Sequence, residues 1–311
     1  MEKRLKALLR LAIKHNASDI HFGMNYDDVN IYMRINGGMR KVKSLSGDNK
    51  LIRYLQYKAN LDIGNMTVPQ TGQFEMEIDN NILSLRFAIV NSLNNANAVL
   101  RILNNRLRVE AKSLSRNSEQ NAYLSKLLDM PNGLIMISGA TGSGKTTSLY
   151  ALLKNAPNKV IYTIEDPIEV YNDNLIQLQI NEKIGFDYEE GIKQILRHDP
   201  DIIMIGEIRD DKAAKMALRA ANTGHLVLAT IHASNASSCI SRMVDLGVSE
   251  AYLYEMLVCL INQRMINEED KYVVYEIMDK EEIEYFRKEK KNSPSFLSID
   301  KQLENKGVYF K

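Results

Sequence analysis

The sequence is poor in cysteine, proline and tryptophan. It has two cysteines, six prolines and no tryptophan among 311 residues. Cys239 and Cys259 stand alone and form no CxxC pair, so a disulfide framework and a cysteine-based zinc knuckle are both excluded. We interpret them as buried thiols in a reducing compartment, because free cysteine usually packs as a small apolar residue.

Long apolar runs are also missing. No segment approaches the roughly 20 apolar residues that a membrane-spanning helix needs. Residues 1–17 begin with a basic stretch, but Lys6, Arg10 and Lys14 interrupt the apolar face. This spacing favours an amphipathic helix over a secretory signal. We therefore expect a cytoplasmic protein.

No charge of one sign dominates. The sequence carries 40 basic and 39 acidic residues, a formal net charge of +1. A protein that coats nucleic acid needs a clustered basic surface, so this balance disfavours that class without excluding a local patch. Hydrophobic residues make up 45% of the chain, enough for a sizeable core, and the length predicts two domains.

The chain has two regions with different patterns of apolar and polar residues, separated by a polar stretch. Residues 1–105 alternate helix-like and strand-like segments and predict a smaller α+β domain with an antiparallel sheet. Residues 106–120 are polar and predict a linker. From 121 to 311, apolar runs alternate with helical segments, which predicts a mainly parallel α/β sheet followed by charged C-terminal helices. The predicted strands outside that parallel sheet are 30–37, 74–78, 82–90, 98–103 and 271–278, and the predicted N-terminal helices are 3–15 and 49–60.

Four apolar runs of the second domain each end in a reactive cluster. If these runs are parallel strands of one sheet, the clusters share its carboxyl edge, where open α/β sheets bind ligands. The runs are GLIMIS, KVIYTI, DIIMI and HLVLAT, and the clusters are Gly139–Thr147, Glu165–Pro167, Gly206–Glu207 and Ile231–His232.

The first cluster, GATGSGKTT, matches the phosphate-loop pattern GxxxxGK[ST] in full. Glycines let the backbone wrap a phosphate closely, and the following helix points its positive end at the same anion. Lys145 should contact the β- and γ-phosphates, and the Thr146 hydroxyl should bind Mg²⁺. The pattern therefore predicts a nucleoside triphosphate site. Its predicted binding residues are Gly139, Ala140, Thr141, Gly142, Ser143, Gly144, Lys145, Thr146 and Thr147.

Carboxylates at the neighbouring strand ends suit hydrolysis. Glu207 occupies the position of an acid that faces the Mg²⁺ shell, and Glu165 is assigned to orienting or deprotonating the attacking water. These two roles could be exchanged, and Asp166 competes for the second. His232 ends a strand beside the expected γ-phosphate and could sense it. A metal site that joins His225 to His232 is possible, but the ligand spacing and thiol partners of a zinc site are missing.

Phosphoryl transfer also needs positive charge beyond the loop lysine, and an arginine can contribute roughly 10³–10⁵ in rate. The candidates are Arg86 and Arg101, on strands of the first domain, and Arg209, just after Glu207. An exposed pairing residue is the competing interpretation of a strand arginine. Spacing alone does not select Arg86 and Arg101.

Together these motifs resemble the type II secretion and type IV pilus assembly ATPases, a branch of the RecA-like motors. The resemblance covers nearly the whole chain, and four motifs in the same order make it specific. GATGSGKTTSLYALL is similar to the family's Walker A segment, TIEDPIE to its aspartate box, LRHDPDIIMIGEIRD to its Walker B segment and TGHLVLATIHASNA to its histidine box. ASDIHF, RING and PQTGQF resemble landmarks of its PAS-like N-terminal domain, and NQRMI resembles the helix that follows the histidine box.

The resemblance implies a RecA-like ATPase domain preceded by a PAS-like domain, assembled into a hexameric ring. It implies that ATP and Mg²⁺ bind between the two domains and that Arg86 and Arg101 reach the nucleotide. Family members drive pilin-like subunits out of the membrane through an integral platform protein. We therefore expect ATP hydrolysis coupled to domain rotation, peripheral association with the cytoplasmic face of the membrane, and no direct contact with nucleic acid.

The sequence differs from many members of this family in three respects. The four-cysteine zinc element of many members is missing, so no zinc site is expected. The sequence opens at the PAS-like domain, so the large additional N-terminal domain is not expected. The histidine box reads HAS where HTN is common.

This short, zinc-free plan is most similar to the competence pseudopilus ATPases of Gram-positive bacteria. The alternatives are a pilus-retraction motor, a nucleic-acid translocase, and a scaffold that binds ATP without hydrolysing it.

Overall fold

The computed structural model describes residues 1–25, 28–35, 38–46, 49–64, 68–91, 95–103, 114–156, 158–170, 172–267 and 271–304. The chain divides into two compact units, Met1–Arg106 and Leu107–Lys311. Within the described ranges, no helix is both long and apolar enough to cross a membrane.

The first unit is an antiparallel sheet with two helices. Its elements are α1 (Glu2–Lys14), β1 (Ala17–Asn25), β2 (Asp28–Ile35), β3 (Gly38–Ser46), α2 (Lys50–Lys58), β4 (Gln70–Ile78), β5 (Asn81–Asn91) and β6 (Asn95–Leu103). The six strands lie in the order β3-β2-β1-β6-β5-β4, and all neighbours are antiparallel.

Local sequence accounts for much of this unit. Helix α1 buries Leu5, Leu9 and Ala12 at helical spacing, as its amphipathic pattern predicts. The β4–β5 hairpin turns at Asp79 and Asn80, whose φ angles of +51° and +62° suit a tight two-residue turn. The predicted helices and the predicted strands of this unit are confirmed with shifted ends. Strands β1 and β3 are additional, and residues 36 and 37 of the predicted strand 30–37 lie outside the described residues.

The second unit is an α/β sheet covered by helices. Its strands are β7 (Gly133–Ser138), β8 (Ile161–Glu165), β9 (Ile176–Gln179), β10 (Ile202–Ile208), β11 (Leu226–Ile231), β12 (Leu257–Asn267) and β13 (Lys271–Met278). Its helices are α3 (Ser118–Lys126), α4 (Lys145–Leu153), α5 (Tyr188–Ile195), α6 (Asp211–Asn222), α7 (Ser238–Asp245), α8 (Glu250–Met256), α9 (Lys280–Glu289) and α10 (Ile299–Glu304). The strand order is β13-β12-β7-β11-β10-β8-β9, and only β13 is antiparallel to its neighbour.

Both faces of this sheet are buried, which explains the continuous apolar runs. Every residue of β7 and β11 is buried. Leu134 and Met136 pack with α6 on one face, whereas Ile135 and Ile137 pack with α4 on the other. The predicted α/β class, with an antiparallel sheet followed by a mainly parallel one, is confirmed. The parallel strands β7, β8, β10 and β11 all end at one edge.

Strand β12 corrects a prediction. The segment NQRMI, residues 262–266, is expected as a helix but lies within β12, which pairs in parallel with β7 and antiparallel with β13. The helix is expected from the family resemblance. Pairing on both sides and burial of Leu260 and Ile261 favour a strand instead, because strand preference depends strongly on the neighbours that a segment meets.

The predicted linker, 106–120, is described only from Leu114 onward, since 104–113 lie outside the described residues. Leu114 is buried, and Ser115 forms a parallel bridge with Val273 of β13. Helix α3 then begins at Ser118, capped by the side chain of Asn117. The end of the predicted linker is therefore packed against the second unit.

Candidate nucleotide-binding site

The phosphate loop connects β7 to α4 and depends on glycine at its two ends. Gly139 has a φ of +142°, and a Cβ there would lie 2.3 Å from the main-chain oxygen of Gln263. Gly144, with a φ of +87°, directly precedes α4. Both conformations favour glycine, and no side chain fits at Gly139. The loop therefore turns closely above the sheet and leaves the first amides of α4 available to an anion.

Lys145 supplies the positive charge of this loop. Its Nζ donates hydrogen bonds to the main-chain oxygens of Gly139 and Ala140, at 2.8 and 3.2 Å. Burial lowers the pKa of Lys145, and the charges of Glu207 and Glu169 oppose that shift. Carbonyl partners carry no net charge, so the ammonium remains available to neutralise a phosphate. This arrangement fits a triphosphate.

A cleft of about 470 Å³ opens between the loop and the carboxyl ends of β8, β10 and β11. It brings together predicted residues from four separate clusters. These are Thr141, Gly142, Gly144, Lys145, Thr146, Thr147, Glu165, Glu207, Arg209 and His232. The remaining loop residues, Gly139, Ala140 and Ser143, line a second cavity of about 640 Å³ that also reaches His232 and β12.

Glu207 is held by two basic side chains. Its Oε1 lies 2.7 Å from Nε2 of His232, and its Oε2 accepts hydrogen bonds from Nε and Nη2 of Arg209 at 2.8 and 2.6 Å. The hydrogen bond to Glu207 raises the pKa of Arg209. Thr146 and Glu207 supply the oxygen ligands that Mg²⁺ prefers. Because both oxygens of Glu207 already have partners, this carboxylate fits contact with the metal through water.

Glu165 is more deeply buried than Glu207, at 2% exposure. Its Oε1 accepts hydrogen bonds from the hydroxyls of Tyr150 and Thr163, both at 2.6 Å, and from Nε2 of Gln177 at 3.4 Å. Burial raises the pKa of Glu165, although the three hydrogen bonds oppose the shift. A carboxylate with a raised pKa is suited to accept a proton near neutral pH.

Sequence reasoning missed the side chains that hold Glu165. Tyr150 lies in the quoted Walker A segment, but nothing in that pattern assigns it a partner. Gln177 is on β9, a strand absent from the prediction. A buried tyrosine hydroxyl needs a partner, and this requirement was the available signal for Tyr150.

Two polar residues of β12 hold the phosphate loop and the end of β7 that precedes it, and both roles were also missed. Nε2 of Gln263 donates to the main-chain oxygen of Ser143, and Nδ2 of Asn262 donates to the hydroxyl of Ser138 at 2.9 Å. Both amide side chains are buried. Adjacent amides that directly follow the apolar run LVCLI were a signal of this role, because buried polar groups normally serve a hydrogen bond.

The arginines of the first unit lie on adjacent strands. Arg86 of β5 is paired with Arg101 of β6, and Nε of Arg101 donates to Oδ1 of Asp19 at 2.7 Å. Burial opposes ionisation of Asp19, but hydrogen bonds from Arg101 and Ser18 lower its pKa. The predicted contact of Arg86 and Arg101 with nucleotide stays a prediction.

The possible metal site between His225 and His232 is not formed. His225 precedes β11 and His232 follows it, so the six residues of the strand separate them by roughly 20 Å. In the described part of the chain, no three His, Cys, Asp or Glu side chains come together as a metal site. Cys239 and Cys259 are buried and unbridged.

The family model described as "Type II/IV secretion system protein" matches residues 1–295. The chain belongs to this family. This match confirms the predicted resemblance. One relative, from Vibrio cholerae, is named "Type II secretion system ATPase E".

Alignments with relatives from this family cover most of the chain. Competence protein ComGA of Halalkalibacterium halodurans is 40% identical over 268 residues, which cover 84% of this chain and 77% of that protein. The Vibrio cholerae ATPase is 35% identical over 269 residues, covering 85% of this chain and 54% of the relative. The chain thus spans about half the length of the type II secretion relatives that it matches.

The crystal structure of the pilus retraction motor PilT with bound ADP has the same fold. Its TM-score is 0.75, with 23% identity and coverage of 96% of both chains. At this identity the likeness shows the fold alone.

Proposed function

We propose that this chain is a motor that hydrolyses ATP to ADP and phosphate and powers the assembly of a type IV pilus-like fibre, the competence pseudopilus. One observation carries the enzymatic part: Lys145, Glu165, Glu207 and His232, from four different strand ends, line one cleft. The 40% identity to ComGA across 77% of that protein supports competence as the process.

The predicted site residues of the cleft have proposed roles in hydrolysis. The phosphate loop and Lys145 would bind the triphosphate, and Thr146 and Glu207 would hold Mg²⁺, which would neutralise charge on the phosphate oxygens. Oε2 of Glu165 accepts a proton from the attacking water as the water oxygen bonds to the γ-phosphorus. The bond from that phosphorus to the β–γ bridging oxygen breaks, and ADP leaves.

Further charged residues complete the proposal. His232 contacts Glu207 and is positioned to report the state of the γ-phosphate. Arg209 is paired with Glu207 and lies 3.8 Å from Asp166, so we assign it to orienting the carboxylate. Arg86 and Arg101 would supply positive charge to the nucleotide, as the family resemblance implies.

The proposed assembly is supported by the family resemblance. The order β12-β7-β11-β10-β8 supports a RecA-like second unit, and we assign the first unit to the PAS-like class. We infer a hexameric ring that works on an integral platform protein at the cytoplasmic face of the membrane, where ATP is available.

A phosphate-release assay on the purified chain tests the enzyme. Lys145→Ala and Glu165→Gln should each abolish turnover, whereas Lys154→Ala, at the exposed far end of α4, should keep the parent rate. Sizing with and without a non-hydrolysable ATP analogue tests the hexamer. Turnover by Lys145→Ala at the parent rate would contradict the proposal.

Two further measurements separate the alternatives. Deleting the gene should remove the fibres if the motor assembles them, whereas loss of a retraction motor leaves fibres in place. Stimulation of turnover by DNA, with a steep salt dependence, would favour a nucleic-acid translocase instead.

A further inference from the structure

We propose that Tyr150 is a positioning residue that holds Glu165 in its productive orientation and couples this carboxylate to the phosphate-loop helix. The inference rests on the proposed role of Glu165 as the base. It is drawn from a buried network that joins α4, β8 and β9.

The direction of each hydrogen bond in this network is fixed by a main-chain donor. The N–H of Asn172 donates to Oε1 of Gln177 at 2.7 Å, so Nε2 is the donating end of that side-chain amide. Nε2 of Gln177 donates to the main-chain oxygen of Val170 at 2.9 Å and to the hydroxyl of Tyr150 at 2.7 Å. Since this hydroxyl accepts from Gln177, its own proton points to Glu165, 2.6 Å away.

The donors of this network all contact one oxygen of the Glu165 carboxylate, and the other oxygen is left for another partner. Tyr150, Thr163 and Gln177 all donate to Oε1. Among the described residues no donor contacts Oε2. Glu165 also lines the cleft that contains the phosphate loop. The arrangement therefore fixes which oxygen is available to a water in the cleft.

Tyr150 also joins this carboxylate to the loop mechanically. It lies on α4, one helical turn after Thr146, and it is fully buried. A shift of α4 when the loop binds phosphate would move the tyrosine hydroxyl, and Glu165 would follow. Helix α4 would thus link phosphate binding by the loop to the orientation of the Glu165 carboxylate.

Several titratable groups face Glu165. The Glu169 carboxylate opposes its ionisation, Tyr150 donates a hydrogen bond to it, and Tyr188 lines the same cleft. Lys145 and Glu207 line the same cleft. None of these groups replaces the proton that Tyr150 donates, so losing that donor should raise the pKa of Glu165.

Tyr150→Phe in the full chain tests the inference. We expect kcat for ATP hydrolysis to fall by roughly tenfold to a hundredfold, because small misplacements of a catalytic group have effects of this size. KM for ATP should stay within about twofold. The acidic limb of the kcat profile should move to higher pH, which a purely structural role of Tyr150 would not produce.

Tyr275→Phe is the matched control. Tyr275 is equally buried, and its hydroxyl lies 2.8 Å from that of Ser148 on the same helix, but it does not contact Glu165. This variant should keep the parent kcat and pH profile. Thr163→Val, which removes a second donor to the same oxygen, should shift the acidic limb in the same direction as Tyr150→Phe and serves as the test if Tyr150→Phe does not fold.

The outcomes separate this inference from the proposed function. If Glu165→Gln abolishes turnover while Tyr150→Phe matches the parent in kcat and pH profile, the positioning role is wrong and the ATPase stands. If Tyr275→Phe produces the same shift as Tyr150→Phe, the positioning role is likewise wrong. If Glu165→Gln turns over like the parent, the base assignment fails and this inference fails with it.

Discussion

Replacing Lys145 with methionine should separate the stability of the nucleotide-free chain from its affinity for ATP. Lys145 is 9% exposed, and across the described residues no carboxylate forms a salt bridge with it. Burying a charge without a salt-bridge partner costs several kcal/mol, whereas hydrogen bonds to a charged group return about 1.5–3 kcal/mol each. Lys145 makes two such bonds. The opposing effects nearly cancel, so we expect the free energy of unfolding to change by no more than about 1 kcal/mol.

Thermal unfolding with and without a non-hydrolysable ATP analogue measures both quantities. Without nucleotide, the Tm of Lys145→Met should stay within roughly 2–4 °C of the parent. At 100 times its Kd, the analogue stabilises the parent by about 2.7 kcal/mol, a rise of roughly 5–11 °C, and the variant should show no rise.

The control for this experiment is Lys154→Met, at the other end of α4, which should behave like the parent. An undiminished rise in Tm with Lys145→Met would refute the assignment of this lysine to phosphate binding. A loss of more than about 3 kcal/mol without nucleotide would refute the estimate of its burial cost.

Three further predictions concern other parts of the chain. Asp19→Asn should lower stability more at pH 7 than at pH 3: the pKa of Asp19 is lowered on folding, so its contribution is fully present above the unfolded value of about 3.9 and is lost as pH falls through the lower folded value; urea unfolding at both pH values checks this, and equal losses would contradict it. Gly139→Ala should abolish binding of a fluorescent ATP analogue, whereas Gly142→Ala, with no atom within 4 Å of its added Cβ, should weaken binding less; the reverse order would contradict the loop geometry. Glu276→Ala should cost about 1–3 kcal/mol in thermal unfolding, because its buried Oε1 accepts a main-chain N–H at 2.8 Å; an unchanged Tm would show that the bond contributes nothing.

The sequence predicts those features that depend on residues close together in the chain. The phosphate loop can be predicted from residue types alone, because the positive φ angles of Gly139 and Gly144 favour glycine whatever surrounds them. The parallel sheet follows from runs such as GLIMIS, whose every residue is buried. The convergence of Glu165, Glu207 and His232 follows from the shared carboxyl edge of parallel strands.

Features that depend on distant partners could not be predicted. Residues 257–267 form a strand because β7 and β13 lie on either side, and no local pattern contains that information. The network of Tyr150, Glu165 and Gln177 joins three elements, and Gln177 itself depends on the amide of Asn172. Likewise, the pairing of Arg101 with Asp19 requires the register of β1 against β6.

The contact between Gln263 and the phosphate loop limits how the protein can be shortened. The glycine-rich motif ends at residue 147, but the side-chain amide that supports it belongs to Gln263, more than a hundred residues later in the chain. Gln263 lies on β12, which has β13 as a neighbour. A fragment that stops at α8 would retain every residue of the phosphate-loop motif. It would lose β12, and with it the hydrogen bond from Gln263 that supports the loop. The minimal nucleotide-binding fragment should therefore extend through Met278.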